Sequence, residues 1–219
     1  MLNENRICFI ICYNDDLFLS ECVLYINALN VPEGYDVDIL TISGAESMTA
    51  GYQYAMQQSN AKYKIYLHQD VFIIHPDFLG DLLKIFQSDS AIGMIGMVGA
   101  VKMPKDAVMW NCQARCGALY YNEITKECEN RFTHPISDAY REVEAVDGLL
   151  IATSQDIPWR EDVFTGWDFY DVSQSAEFRL AGYKIVVPRQ EQPWVIHDDD
   201  ILDLKDYDYW RQKYLEEYS

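Results

Sequence analysis

Four groups of acidic and imidazole side chains in this sequence could do chemistry. His68 and Asp70 flank Gln69 inside "YKIYLHQDVFII", a run that is otherwise apolar apart from Lys64. Asp147 is followed by Gly148, Asp168 and Asp171 stand in "GWDFYD", and His197 precedes Asp198, Asp199 and Asp200. Carboxylates and neutral imidazoles accept protons and bind divalent cations. A carboxylate is almost never buried without a positive partner or a metal. The run must therefore reach the surface at Asp70, or Asp70 must hold something positive. Each group also has a purely structural reading. Asp171 could cap a helix, His197 could be a satisfied strand-end histidine, Asp198 to Asp200 could be a solvated run, and Asp147-Gly148 could be a tight turn.

The elements around these residues decide where they point. "RICFIICY" reads as a buried strand, Asn14 or Asp15 as the cap of a helix "DLFLSECVLYINAL", and Leu17, Val23, Leu24 and Leu29 as one face of it. A strand "VDILTI", a helix "SMTAGYQYAMQQS" and the strand Tyr63 to Ile74 follow. "HPDFLGDLLKIFQS" places Phe78, Leu79, Leu82, Leu83 and Phe86 at helical spacing, and "AIGMIGMVGAV" reads as a further strand. Strand–helix alternation with continuously apolar strands predicts a mostly parallel sheet covered on both faces. Ligands of such sheets bind outside the carboxyl ends of the strands, where Tyr13, Asn14 and Asp70 fall. Beyond about residue 105 the pattern is mixed, with strands in "GALYYNEIT" and "YREVEAVDGLLIATS". A helix, a Gly182 stop and a strand come next, then "QPWVIHDDD" and a carboxyl-terminal helix.

The 219 residues, 49% hydrophobic and 24% charged, are enough for one domain with a substantial core. A net charge of −18 repels nucleic acid and anionic membranes, so neither is expected as a partner. No stretch has signal-peptide form and none is apolar enough to span a membrane, so a cytoplasmic location is expected. The six cysteines contain no C-x-x-C pair and read as free thiols; Cys112, Cys116 and Cys128 form only a weak zinc pattern. Sixteen Tyr, nine Phe and five Trp favour a site with stacking surfaces, or equally an aromatic-rich core and surface.

Taken in order, "CYND", "YLHQD", "YDVSQSAEFRLAGYKIVVP" and "WVIH" resemble the motif series of the inverting family 2 glycosyltransferases. The "GWDFYD" wording is similar to a bacterial glycosyltransferase-like subgroup with an aromatic "FYD" segment. The resemblance spans about Arg6 to His197. It implies a GT-A type α/β fold, a Rossmann-like, mostly parallel sheet flanked by helices with a mixed acceptor-side region. One domain over 1–219 is expected, with a nucleotide-binding half to about 104 and an acceptor-side half beyond.

That resemblance also implies roles. Tyr13, Asn14, His68, Gln69 and Asp70 would bind a nucleotide-sugar donor, with UDP the expected carrier. Asp70 and His197 would hold Mn²⁺ or Mg²⁺, the mixed oxygen and nitrogen set favouring Mn²⁺. In an acidic protein that cation would offset the charge of the departing diphosphate. Asp147, Gly148, Trp167 and Tyr170 would face a glycan or other hydroxyl acceptor. Asp171, eleven residues before Gly182, would be the base, kept ionised by the helix it opens; Asp168 is the rival. The chain departs from the family pattern in three places. His68-Gln69-Asp70 replaces Asp-x-Asp, Glu46 is the one acid in "TISGAES", and Tyr170 stands where the family has Glu. A glycosyltransferase-like module that binds nucleotide or glycan without turnover is the main alternative. A sugar nucleotidyltransferase would need a Gly-rich basic loop after the first strand, which "CYNDDLFLSEC" does not supply. A metallohydrolase on His68, Asp70 and His197 would need more paired ligands.

Overall fold

The computed structural model of the chain describes residues 2–123, 126–131, 134–198 and 204–219. It opens with β1 (Asn3–Tyr13), α1 (Asp16–Asn27), β2 (Asp36–Ser43), α2 (Met48–Gln58) and β3 (Ala61–His68). β2 and β3 both pair in parallel with β1. Residues along β1 alternate between two cores. Ile7, Phe9 and Ile11 pack with Cys22 and Ile26 of α1, while Cys8, Ile10 and Cys12 pack with Met48, Tyr52 and Ala55 of α2. A strand buried on both faces must be apolar at every position, which is why "CFIIC" shows no polar alternation. On α1 the buried stripe is Cys22 and Ile26; Leu17 and Leu24, expected on that face, are 78% and 69% exposed. Asp15 caps this helix, accepting from the backbone N–H of Leu17 at 2.8 Å and of Phe18 at 3.2 Å.

The apolar run Tyr63 to Ile74 is two strands instead of one. β3 ends at His68, the chain turns at Gln69 and Asp70, and β4 (Val71–Ile73) enters a second sheet. α3 (Phe78–Ser88) then buries Phe78, Leu79, Leu82, Leu83 and Phe86, as their spacing predicts. The glycine-rich strand is also split, into β5 (Ile92–Gly96) and β6 (Val98–Ala100). β7 (Arg115–Glu123), β8 (Lys126–Arg131), β9 (Tyr140–Val143), β10 (Ala145–Val146) and β11 (Leu150–Thr153) follow. The chain closes with α4 (Tyr170–Leu180), β12 (Lys184–Pro188), β13 (Val195–His197) and α5 (Tyr207–Tyr218).

The main sheet has seven strands in the order β2-β1-β3-β11-β5-β12-β9. β11 and β9 run antiparallel to their neighbours, and the other pairings are parallel. The second sheet runs β10-β6-β7-β13-β4, with β8 on β7. Strands from both halves of the chain thus interleave in the main sheet. Lys64 on β3 is fully buried, and its ammonium is satisfied by Asp156 at 2.7 Å and the Ala61 carbonyl at 2.8 Å. A buried cation needs such partners. Among the described residues no helix is long and apolar enough to cross a membrane.

Candidate functional site

Parallel register brings three strand ends to one edge. Tyr13 pairs with Ser43 across β1 and β2, and Cys12 pairs with His68 across β1 and β3. A cleft of about 270 Å³ opens there, lined by Tyr13, Asn14, Gly44, Met48, His68, Gln69, Asp70 and Trp167. Gly44 has φ +66°, a left-handed turn suited to glycine that takes the chain away from the β2 end. Gln69 fastens the β1 exit to the β3 end. Its carbonyl oxygen accepts from the N–H groups of Asn14 and Asp15 at 3.0 and 2.9 Å, and its amide donates to Asn14 Oδ1 at 2.6 Å.

The turn after β3 also builds a metal-competent cluster. β4 pairs antiparallel with β13, setting His197 opposite Val71, and the Asp198 N–H donates to the Asp70 carbonyl at 2.9 Å. This brings His197 Nε2 within 3.6 Å of Asp70 Oδ1 and 3.4 Å of His68 Nδ1, while His68 Nδ1 lies 3.9 Å from Asp70 Oδ1. Asp70 Oδ1 is buried and, among the described residues, has no hydrogen-bond partner. An orphaned carboxylate oxygen facing two imidazole nitrogens fits a divalent cation by its donor chemistry. Burial alone would raise the Asp70 carboxyl, but the His197 and His68 rings outweigh it and hold the group below the usual carboxylate range. Burial and then the neighbouring His197 push the His68 imidazole down to about 4, so the ring is neutral at pH 7. The other ring nitrogen of His68, Nε2, sits on the Tyr170 hydroxyl.

Tyr170 opens α4, and behind it lies a pair of acids. Asp171 Oδ1 accepts from the Val172 N–H at 2.8 Å and Oδ2 from the Gly148 N–H at 3.0 Å. Asp147 Oδ1 accepts from the Leu149 N–H at 2.9 Å. The helix start expected to keep Asp171 ionised is opposed by its surroundings. Burial, and then the Asp147 charge beside it, raise its carboxyl to about 7 against its two backbone N–H bonds. The residue before α4, Phe169, has φ +61°, an uncommon conformation for a side chain of that size, and is packed on Tyr207 and Tyr214 of α5 at ring distances of 4.9 and 5.8 Å. A small hollow of about 60 Å³ at Asp171 is lined by Ala107, Met109, Trp110, Phe169 and Tyr207.

A family model described as "Glycosyltransferase like family" matches residues 8–218. The chain belongs to this family. A sequence comparison with curated proteins returns no match. Among solved structures, TarS from S. aureus is similar with a TM-score of 0.61 at 9% identity, covering 96% of this chain and 39% of TarS. A TarS fragment in complex with UDP gives 0.60 at 9% identity, covering 96% and 64%. A mannosyltransferase from Pyrobaculum calidifontis, in complex with GDP-Man and Mn²⁺, gives 0.56 at 13% identity, covering 96% and 61%. The chain therefore spans between about two fifths and just under two thirds of these structures' lengths. At such identities the likeness concerns the fold, and it is the GT-A fold.

Within this glycosyltransferase-like chain, the residues expected at the donor gather as one set. Tyr13, Asn14, His68, Gln69 and Asp70 line the cleft, and Asp70 and His197 are neighbours. Trp167, expected toward the acceptor, is 54% exposed and lines the same cleft. Tyr170, expected to offer a face to a sugar, is 5% exposed and lies behind His68. Gly148 is buried under it, and a Cβ there would overlap the Tyr170 phenol. Asp168 is partly buried just before α4, and Asp147 meets Asp171. Asp199 and Asp200 lie outside the described residues, as does the side chain of Cys128 from the zinc pattern. Trp110 and Tyr207 at Asp171, and Gly44 and Met48 at the cleft, were not singled out in the sequence. Only the Gly44 turn carried a local signal.

Proposed function

We propose that this chain transfers a sugar from a nucleotide-sugar donor to an acceptor hydroxyl, with inversion at the anomeric carbon. The observation that carries the reading is the His68, Asp70 and His197 cluster, opening beside a cleft at the ends of three parallel strands. Tyr13 and Asn14 hold the nucleotide, with the Tyr13 ring available to stack on the base. Asp70 and His197 hold the divalent cation. When bound there, it supplies positive charge against the diphosphate leaving group. UDP is the proposed carrier; UDP and GDP-Man are bound in the structural neighbours.

Asp171 is the proposed base. It takes the acceptor hydroxyl proton while that oxygen attacks the anomeric carbon, and the nucleoside diphosphate leaves with the bonding electrons from the opposite face. A carboxyl raised toward neutrality is well matched to this role, since a base works best with a pKa near the working pH. Asp168 and Asp147 border the acceptor side, and Trp167 covers the cleft mouth. The buried free thiols Cys8, Cys12, Cys22 and Cys116 support a cytoplasmic setting.

The test is incubation of the purified chain with UDP-sugars and Mn²⁺, following UDP release and product configuration. Metal-dependent UDP release with wild type, absent in Asp171→Asn, is the expected result. A second reading, binding without turnover, is favoured by the replacement of Asp-x-Asp by His68-Gln69-Asp70. It would be established by tight UDP-sugar binding with no UDP release under any acceptor.

A further inference from the structure

Three ligand atoms converge beside the cleft, while the reading above assigns the cation to only two of them. Their separations are 3.4 Å for His68 Nδ1 to His197 Nε2, 3.6 Å for His197 Nε2 to Asp70 Oδ1 and 3.9 Å for His68 Nδ1 to Asp70 Oδ1. A point equidistant from all three lies about 2.1 Å from each, within the roughly 2.0–2.2 Å at which imidazole and carboxylate bind zinc-like ions. The three side chains are 15–25% exposed, so the cluster keeps a side open toward the cleft.

The remaining nitrogen of His68 is accounted for as well. Nε2 is on the Tyr170 hydroxyl, and Tyr170 is held in place by Gly148 on one side and by Tyr52 at a ring distance of 6.0 Å on another. A neutral imidazole has one N–H. If Nε2 carries it and donates to the tyrosine oxygen, Nδ1 is left with its lone pair toward Asp70 and His197. An outer partner of this kind sets both the tautomer and the ring orientation of a metal-binding histidine.

We infer that His68 is a third metal ligand positioned by Tyr170, making a two-imidazole, one-carboxylate site that takes Co²⁺-, Fe²⁺- or Zn²⁺-like ions in preference to Mg²⁺. The inference rests on the metal assignment of the proposed function and goes beyond it in ligand number and ion choice. Mg²⁺ prefers oxygen ligands and sheds water reluctantly, whereas imidazole suits the later first-row ions. Two nitrogens among three protein ligands therefore tilt the site away from Mg²⁺. Tyr170 touches no metal here and is a positioning residue. The His68–Tyr170 contact also joins the cluster to the first turn of α4, one residue from Asp171.

The test uses the metal-free full chain without nucleotide. Co²⁺, Mn²⁺ and Mg²⁺ are each titrated by calorimetry, and Co²⁺ is expected to bind at least about 100-fold more tightly than Mg²⁺. His68→Ala should weaken Co²⁺ by about tenfold or more while moving Mg²⁺ by less than about threefold. Tyr170→Phe keeps the ring, removes the oxygen, and should weaken Co²⁺ by about 10- to 100-fold. Unchanged Co²⁺ binding in His68→Ala, or equal affinities for Co²⁺ and Mg²⁺ in wild type, overturns the inference. Pulsed EPR of Mn²⁺-loaded wild type needs no variant to fold: two directly bound imidazole nitrogens are expected, and one overturns it. A chain with two bound imidazoles that transfers no sugar leaves this inference standing and removes the transferase reading; sugar transfer with one imidazole does the reverse.

Discussion

Gln69, in the turn after β3, holds Asn14, at the exit of β1, through both ends of its amide. The oxygen accepts from the Asn14 and Asp15 N–H groups and the nitrogen donates to Asn14 Oδ1 at 2.6 Å. Two adjacent strand ends, fifty-five residues apart in sequence, are thereby locked into one cleft wall. The middle residue of "HQD" thus organises the cleft, with His68 and Asp70 on either side of it at the metal cluster.

Gln69→Ala removes three hydrogen bonds from the wall. With each partly exposed bond contributing about 0.5–1.5 kcal/mol, a fall in melting temperature of several degrees is expected. UDP affinity should fall about tenfold with it, since loss of the tie frees Asn14. Calorimetry on the folded variant reads the affinity; unchanged UDP binding would show that the wall holds without Gln69.

Asp70→Ala leaves the two imidazoles without their carboxylate. Divalent-dependent UDP binding should be lost in this variant, and addition of chelator to wild type should have the same effect. Equal UDP binding with and without Mn²⁺ in wild type would remove the metal from donor recognition.

Tyr13→Ala takes a half-buried ring from the cleft and should weaken UDP binding by about 1–2 kcal/mol, in the range of aromatic contacts, with little change in melting temperature. A variant that binds UDP normally would confine Tyr13 to a structural role at the strand end.

Asp171→Asn removes the proposed base and should lower turnover by about two to four orders of magnitude while UDP and metal binding survive. In wild type the base must be ionised, so kcat should fall as the pH drops below about 7, where the raised carboxyl becomes protonated. Stability has the opposite sign. A carboxyl raised from 3.8 to about 7 by folding stabilises the native state most below the unfolded value, and that contribution is lost as the pH rises to about 7. Asn stays neutral throughout, so the melting temperature of Asp171→Asn relative to wild type should improve between about pH 4 and pH 7 and level off above that. A pH-independent difference would mean that Asp171 is not raised. If Asp168→Asn abolishes turnover and Asp171→Asn does not, the base is Asp168.

Gly148→Ala should push the Tyr170 phenol off its position, because the added Cβ overlaps it. Overpacking of this kind costs about 1–3 kcal/mol. A denaturant melt checks the loss, and a variant as stable as wild type would mean that the phenol can yield without cost.

Local pattern was enough for the amino-terminal half. The buried strand "CFIIC", the α3 stripe from Phe78 to Phe86 and the parallel alternation were legible because burial on two faces, or on one helical stripe, prints itself on neighbouring residues. Order along the chain was enough to group Tyr13, Asn14 and Asp70 at strand ends and to point to Asp171 before Gly182. Other features had no local signature. The break of Tyr63 to Ile74 at His68 depends on β13, which arrives more than a hundred residues later to pair with β4. The same pairing brings His197 to Asp70 and makes His68 part of the cluster. Sequence marked Tyr170 as an aromatic near an acceptor, but the close packing of Gly148 behind it turned its hydroxyl onto His68. The upward shift of the Asp171 carboxyl was hidden in the same way: the helix start is local, whereas the burial and the Asp147 charge that raise it come from the folded core and from the turn after β10. Residue types and spacing determined which side chains were available for chemistry; through-space distances, which no linear pattern records, decided which of them act on one another.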